Sequence, residues 1–201
     1  DPVGALRTFV LWFPVEDTDV TPVDVSVLVP VVGPAVDPLD PAAAEASLAA
    51  ASSTDGRLSK VLTSTEDLDD VGWAVDPSLV QEETPADGGD ASASAGALSS
   101  GPSERIVDGA ADREVFALPA DDQDVVALVA AGRPVPSPPT LSGGSGTWRT
   151  DLSWPAEDTP DARTLSAVTA AGASTVVAAP GSLPPSTTLS YTPSSRASVT
   201  T

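Results

Sequence analysis

The sequence predicts an α/β fold in which parallel strands alternate with helices, built as an open sheet or an incomplete (β/α) barrel with long flexible loops. Three observations carry this reading. A phrase occurs twice, Leu118-Pro119-Ala120-Asp121-Asp122 and Trp154-Pro155-Ala156-Glu157-Asp158, each time closing an apolar run and opening an Ala/Val/Leu-rich stretch that stops at Ala-Ala-Gly, residues 130–132 and 170–172. Short β-prone runs recur between such helical stretches, which implies parallel pairing through right-handed crossovers. Finally, 201 residues, 41% of them apolar, suffice for one domain with a core of its own. A complete eightfold barrel takes roughly 250 residues, and two long stretches of this chain contribute nothing to one.

Residues 6–15 (LRTFVLWFPV) form an apolar, β-prone run that reads as an edge strand or the tail of a preceding β domain. Residues 1–20 are therefore set apart from an α/β body over 21–185. Residues 23–32 (VDVSVLVPVV) alternate at first and are then continuously apolar, as expected of a strand buried on both faces. A proline-rich loop leads to Pro41, which opens a helix running to about Ala51, proline being at home in a first helical turn. A short helix over 55–62 precedes the strand 71–75 (VGWAV), which ends in Asp76-Pro77. Residues 82–102 hold one large apolar side chain, Leu98, too little to offset the cost of ordering, and are expected to form a mobile loop. Strand 115–118 and helix 124–131 follow, then a second flexible stretch over 132–147, rich in Pro, Gly and Ser. Strand 151–154, helix 162–171 and strand 174–178 complete the body, and the Ser/Thr-rich tail 186–201 is expected to lead into further sequence.

Composition narrows the chemistry. A formal net charge of -20, from 29 acidic and 9 basic residues, argues against nucleic acid as a partner and against direct contact with an anionic membrane. There is no cysteine and no histidine. Disulfides, thiolate zinc sites, His-based triads and nearly every transition-metal site are thereby excluded, so no cofactor and no metal is expected, and any catalysis falls to carboxylates. No apolar run is long enough to span a bilayer, and none of these residues is expected to form a signal peptide. The chain opens at Asp1 and lacks methionine, as a piece excised from a larger protein would.

In α/β folds the loops beyond the C-terminal ends of strands build the site. The carboxylates there are Asp76, Asp121 with Asp122, and Glu157 with Asp158, and Trp73 and Trp154 lie beside them. One reading is catalytic: Asp76 with Asp122 or Asp158 as the acid and base or nucleophile of a glycoside hydrolase. Trp73, Trp154, Asp121 and Glu157 would then bind the sugar. The other reading is structural and is the commoner use of Asp before a helix: Asp121 or Asp122 caps the helix beginning near Asp124, Thr159-Pro160 does the same before Asp161, and Asp76-Pro77 opens a turn. The acidic groups Glu16, Asp17, Asp19 and Asp67, Asp69, Asp70 lack the glycine and terminal glutamate of an EF-hand loop and read as solvated surface.

The ordered set Val29-Pro30-Val31-Val32, Gly56-Arg57-Leu58, residues 73–79 (WAVDPSL), residues 118–128 (LPADDQDVVAL) and Trp154-Pro155-Ala156 resembles a family of large exported, membrane-anchored actinobacterial proteins of unknown function. Their genes tend to lie near a lipid II flippase gene. The resemblance implies a barrel of the glycoside hydrolase/deacetylase type, a signal peptide, a C-terminal membrane helix and further β domains in the whole protein. Deacetylases of that superfamily hold a metal with an aspartate and histidines, and this chain has no histidine for that role. The expectation is thus an extracellular, cell-envelope domain that binds or scaffolds rather than catalyses, with cell-wall glycan or another envelope protein as its partner. The alternative is a carboxylate-only glycoside hydrolase acting on envelope polysaccharide.

Overall fold

A computed structural model describes residues 25–35, 37, 39–80, 101–143, 146–156, 159–179, 182 and 198. The run 6–15, residues 82–100, Glu157, Asp158 and, apart from residue 198, the tail 186–201 lie outside the described residues, as do the boundaries drawn at residues 20 and 185.

The body opens with β1 (Val27–Val31). Its exit loop delivers Asp40, whose side chain accepts the Ala43 N–H at 3.0 Å and so caps α1 (Pro41–Ser52), with Pro41 in the first position. Alanine covers α1 on all sides, so no face is set apart for burial, although Leu48 and Ala51 rest on the core. By contrast α2 (Arg57–Thr65) buries Leu58, Ser59, Leu62 and Thr65, the spacing of one helical face. It leads to β2 (Val71–Val75) and a 3-10 turn at Pro77–Leu79.

The helix α3 (Gly101–Gly109) has no place in the sequence reading, which ran one loop through residue 102. It is short, polar and bounded by glycines, and little in it favours a helix in isolation. Tertiary contacts supply the difference. Ile106 is fully buried, and Arg105 reaches Thr63 Oγ1 at 2.9 Å and Glu66 Oε2 at 2.8 Å on α2. Gly109 lies so close to Trp73 that an added Cβ would stand 2.5 Å from the indole ring.

Next come β3 (Val115–Ala117), a 3-10 turn at Ala120–Asp122 and α4 (Val125–Ala130). Of the stretch 132–147, expected to be flexible, the described residues 132–143, 146 and 147 contact the body. Ser137 Oγ donates to Ala171 O at 2.8 Å, Leu141 rests on the core, and two-residue strands β4 (Ser142–Gly143) and β5 (Gly146–Thr147) form an antiparallel pair. Its proline and glycine content set the chain path without preventing contact. The chain then forms β6 (Leu152–Ser153), α5 (Ala162–Ala170) and β7 (Thr175–Val176).

The sequence repeat is a repeat in space. After α4, the N–H groups of Gly132 and Arg133 bond Val129 O and Leu128 O; after α5, those of Gly172 and Ala173 bond Thr169 O and Val168 O. Both helices therefore end in the same Schellman cap, and both glycines take the positive φ it needs, 68° and 108°.

All strands but the β4–β5 pair run parallel. β1, β2 and β3 pair in chain order, with Val29 opposite Trp73 and Trp73 opposite Val115. β6 and β7 pair separately. An isolated parallel bridge, Phe116 to Arg149, ties β3 to the segment between β5 and β6: Ala117 N–H bonds Arg149 O at 2.7 Å and Arg149 N–H bonds Val115 O at 2.9 Å. The architecture is a mixed α/β fold of short parallel strands with no closed sheet among the described residues, as the open alternative of the sequence reading has it, and a full (β/α) barrel is not formed by them. Closure needs every strand tilted and in register with the next, and two-residue strands in separate sheets do not supply that. One face packs on α2 and α3 through Val31, Trp73, Val75, Val115, Leu58, Leu62 and Ile106. The other gathers Ala74, Phe116, Leu118 and Leu152, with Leu28, Val32, Trp154 and Val177 around them. No helix among the described residues is long and apolar enough to cross a membrane.

Candidate functional site at the C-terminal strand ends

Parallel pairing brings the ends of β1, β2 and β3 together, and there two carboxylates, from the loops after β2 and β3, lie near a guanidinium from the first turn of α2. Asp76 follows β2 directly and is only 3% exposed. Its Oδ1 accepts the Ser78 N–H at 2.9 Å, capping the 3-10 turn, and also the Asp121 N–H at 3.0 Å from the loop after β3. Burial pushes its carboxyl above the ordinary range, the charge of Asp121 adds to this, and the hydrogen bonds from Ser78 and Asp121 pull it back only in part.

Asp122 stands on the rim. Desolvation and the facing Asp76 carboxylate raise its carboxyl, and the charge of Arg57 opposes them. Neither Asp121 nor Asp122 accepts a side-chain hydrogen bond among the described residues. Both have positive φ, 62° and 43°, a conformation costing about 1 kcal/mol or more per non-glycine residue.

Arg57, in the first turn of α2, completes the group. Its Nη2 donates to Val32 O and, at 3.1 Å, to Gly33 O, the carbonyls just beyond β1. Sequence reasoning assigned Arg57 no role. The signal for it is a cation at the first position of a helix, where the macrodipole disfavours positive charge, so that some other partner must hold it.

The remaining candidates are distributed as follows. Trp73 is 1% exposed and faces the helices; its Nε1 donates to Thr65 Oγ1 at 3.2 Å, and its ring offers no platform to a ligand at the strand ends. Trp154 is half-buried on the other face, against the cluster that includes Phe116 and Leu118. Glu157 and Asp158 lie outside the described residues. The helix caps also differ from expectation. Asp124, not Asp121 or Asp122, caps α4, accepting from the N–H groups of Val126 at 2.9 Å and Ala127 at 3.1 Å. Asp161, not Thr159-Pro160, caps α5 through the Thr164 N–H at 2.7 Å. In each case the acceptor must sit two or three residues before the N–H it serves, and the loop's path puts the later aspartate there.

Asp76 thus spends one oxygen joining two loops, while Asp122 and Arg57 present charges of opposite sign beside it. Among the described residues no three carboxylates converge as a cation site. A nearby apolar hollow, lined by Pro119, Val125, Leu152 and Val168, has about 10 Å³ of free space, room for one water and not for a sugar ring.

Compared with known proteins, the chain matches no curated protein and no solved structure. A family model covers all of it, residues 1–201, so that the chain belongs to the family of unknown function DUF6049.

Proposed function

We propose that this chain is a non-catalytic module of an exported, cell-envelope protein of an actinobacterium, binding cell-wall glycan or scaffolding another envelope protein with the C-terminal end of its parallel sheet. The observation that supports it most directly is the use made of Asp76, whose Oδ1 is committed to the N–H groups of Ser78 and Asp121. A reacting carboxylate needs its oxygens toward substrate, whereas this one holds two loops together. The family resemblance of residues 73–79 and 118–128 supports the exported, envelope setting.

A carboxylate-only glycoside hydrolase is the second reading, favoured by Asp76 and Asp122 facing each other with both carboxyls raised, the property a general acid requires. Cell-wall glycan fragments incubated with the parent separate the two. Retention of fragments without release of new reducing ends supports the module. Release of reducing ends that disappears in Asp76→Asn or Asp122→Asn, with the circular dichroism spectrum unchanged, replaces it with the hydrolase.

A further inference from the structure

Asp121 and Asp122 are consecutive non-glycine residues in the left-handed region. Side chains other than glycine enter that region singly, Asp and Asn most readily, and a glycine pair would take this turn without strain. The segment is bounded by fixed points. Leu118 N–H is bonded to Val75 O at 2.9 Å on one side, and Asp124 caps α4 on the other. Between them, Asp122 N–H to Pro119 O at 3.1 Å and Gln123 Nε2 to Ala120 O at 3.2 Å are local bonds that travel with the turn. Among the described residues, the hydrogen bond that ties the turn to a distant part of the chain is Asp121 N–H to Asp76 Oδ1.

We propose that residues 119–123 form a strained strap held down by Asp76: the bond from Asp121 N–H keeps both aspartates left-handed and sets Asp122 against Asp76 and Arg57, and breaking it lets the strap lift from the strand ends. Asp76 suits this role because it is buried and its Oδ1 is also fixed by Ser78 N–H in its own loop, so the anchor does not follow the strap. The lifted strap relieves two strained residues at the loss of one hydrogen bond, giving two states with a small difference between them. Asp76 is then a positioning residue, whether the strand ends bind or catalyse.

Amide hydrogen exchange resolved by NMR on the full chain tests this, with the Trp73 amide as the report on global opening. In the parent, Asp121 and Ser78 amides are both protected, since one oxygen accepts both. Asp76→Ala accelerates Asp121 exchange roughly tenfold or more with Trp73 unchanged, and Asp76→Asn, which keeps an acceptor oxygen, restores protection. Asp121→Gly raises the melting temperature more than Asp121→Asn, which removes the charge but keeps the Cβ. That excess shrinks in the Asp76→Ala background, because a lifted strap has no strain left to relieve. The proposal is overturned if Asp121 exchanges in the parent as an unprotected amide, a test that needs no variant to fold. It is equally overturned if Asp76→Ala changes Asp121 protection by less than about twofold, or if the glycine gain is the same with and without Asp76.

Discussion

At the N-terminal end of the sheet two arginines, Arg113 and Arg149, are each matched by several acceptors, while at the C-terminal end charges are held at a cost. Arg113, just before β3, donates to five carbonyls, those of Gly109, Thr65, Leu68, Val71 and Glu66, and its guanidinium lies 4.1 Å from the Trp73 ring centroid. Three of those carbonyls close α2 and α3, where a cation also meets the negative end of the helix dipole. Arg149 bonds Asp151 and Glu114 and lies over Phe116, and Ser174 Oγ adds a bond to Asp151 at 2.7 Å. The carboxyl of Asp151 is accordingly lowered to about 2, chiefly by Arg149. At the opposite end Asp76 and Asp122 are raised by burial, and Asp121 and Asp122 keep a strained backbone. One end is built to hold the sheet together. The other spends stability on placing charge, and it is the end where α/β folds carry their sites.

The largest effect that this contrast implies is at Arg113. Arg113→Ala leaves helix-terminal carbonyls without their donor and removes the cover of Trp73, and should cost ~3 kcal/mol in urea unfolding. Arg113→Lys should recover only part, because an ammonium cannot span five acceptors as the planar guanidinium does. A loss below about 1 kcal/mol would remove the distinction between the two ends.

Two aspartates that are neighbours in sequence fall on opposite sides of the contrast. Asp124→Ala should cost ~1 kcal/mol through the lost cap of α4. Asp122→Asn, which removes no hydrogen bond, keeps a side chain suited to the left-handed backbone and takes away a charge near Asp76, should cost nothing or raise the melting temperature. Equal losses at the two positions would mean that the charge of Asp122 is stabilising rather than held at a cost.

Acid separates the ends by sign. Asp76 has a raised carboxyl, so its ionisation costs stability; its contribution improves as pH falls from 7 through its folded pKa toward the ordinary value of about 4. Asp151 has a lowered one, so the stability it contributes is complete above about 4 and is lost as pH falls toward 2. The difference in melting temperature between parent and Asp76→Asn should therefore vary above pH ~4, and that between parent and Asp151→Asn below it. The reverse assignment would show that burial does not govern Asp76.

The smallest effect is at Arg149, whose ion pairs to Glu114 and Asp151 are half-exposed. Arg149→Ala should cost ~0.5 kcal/mol, less in high salt. A loss as large as that of Arg113→Ala would show that the bridge between β3 and the segment before β6 depends on this side chain.

What the sequence determined by itself is the alternation of strands and helices and the address of the candidate site. Local signals carry these: the continuous apolar run ending at Val32, the VGWAV strand ending at Asp76, Pro41 after a capping aspartate, and the two Ala-Ala-Gly stops that became matching Schellman caps. Tertiary structure alone decided the rest, because the deciding contacts join residues far apart in the chain. The segment 101–109 becomes a helix through Ile106, Arg105 and the space Gly109 leaves for Trp73, none of which its own composition announces. Trp73 and Trp154 look alike in sequence, yet Trp73 within β2 enters the helix-facing core while Trp154, just past β6, packs on the opposite face. The three aspartates at positions 121, 122 and 124 are equivalent as cap formers, and only the path imposed by Leu118 on Val75 and Asp121 on Asp76 gives the cap to the last of them. Arg57 meets Asp122 solely because parallel strands align their ends, so the composition of the site follows from sheet pairing, which no local stretch of sequence encodes.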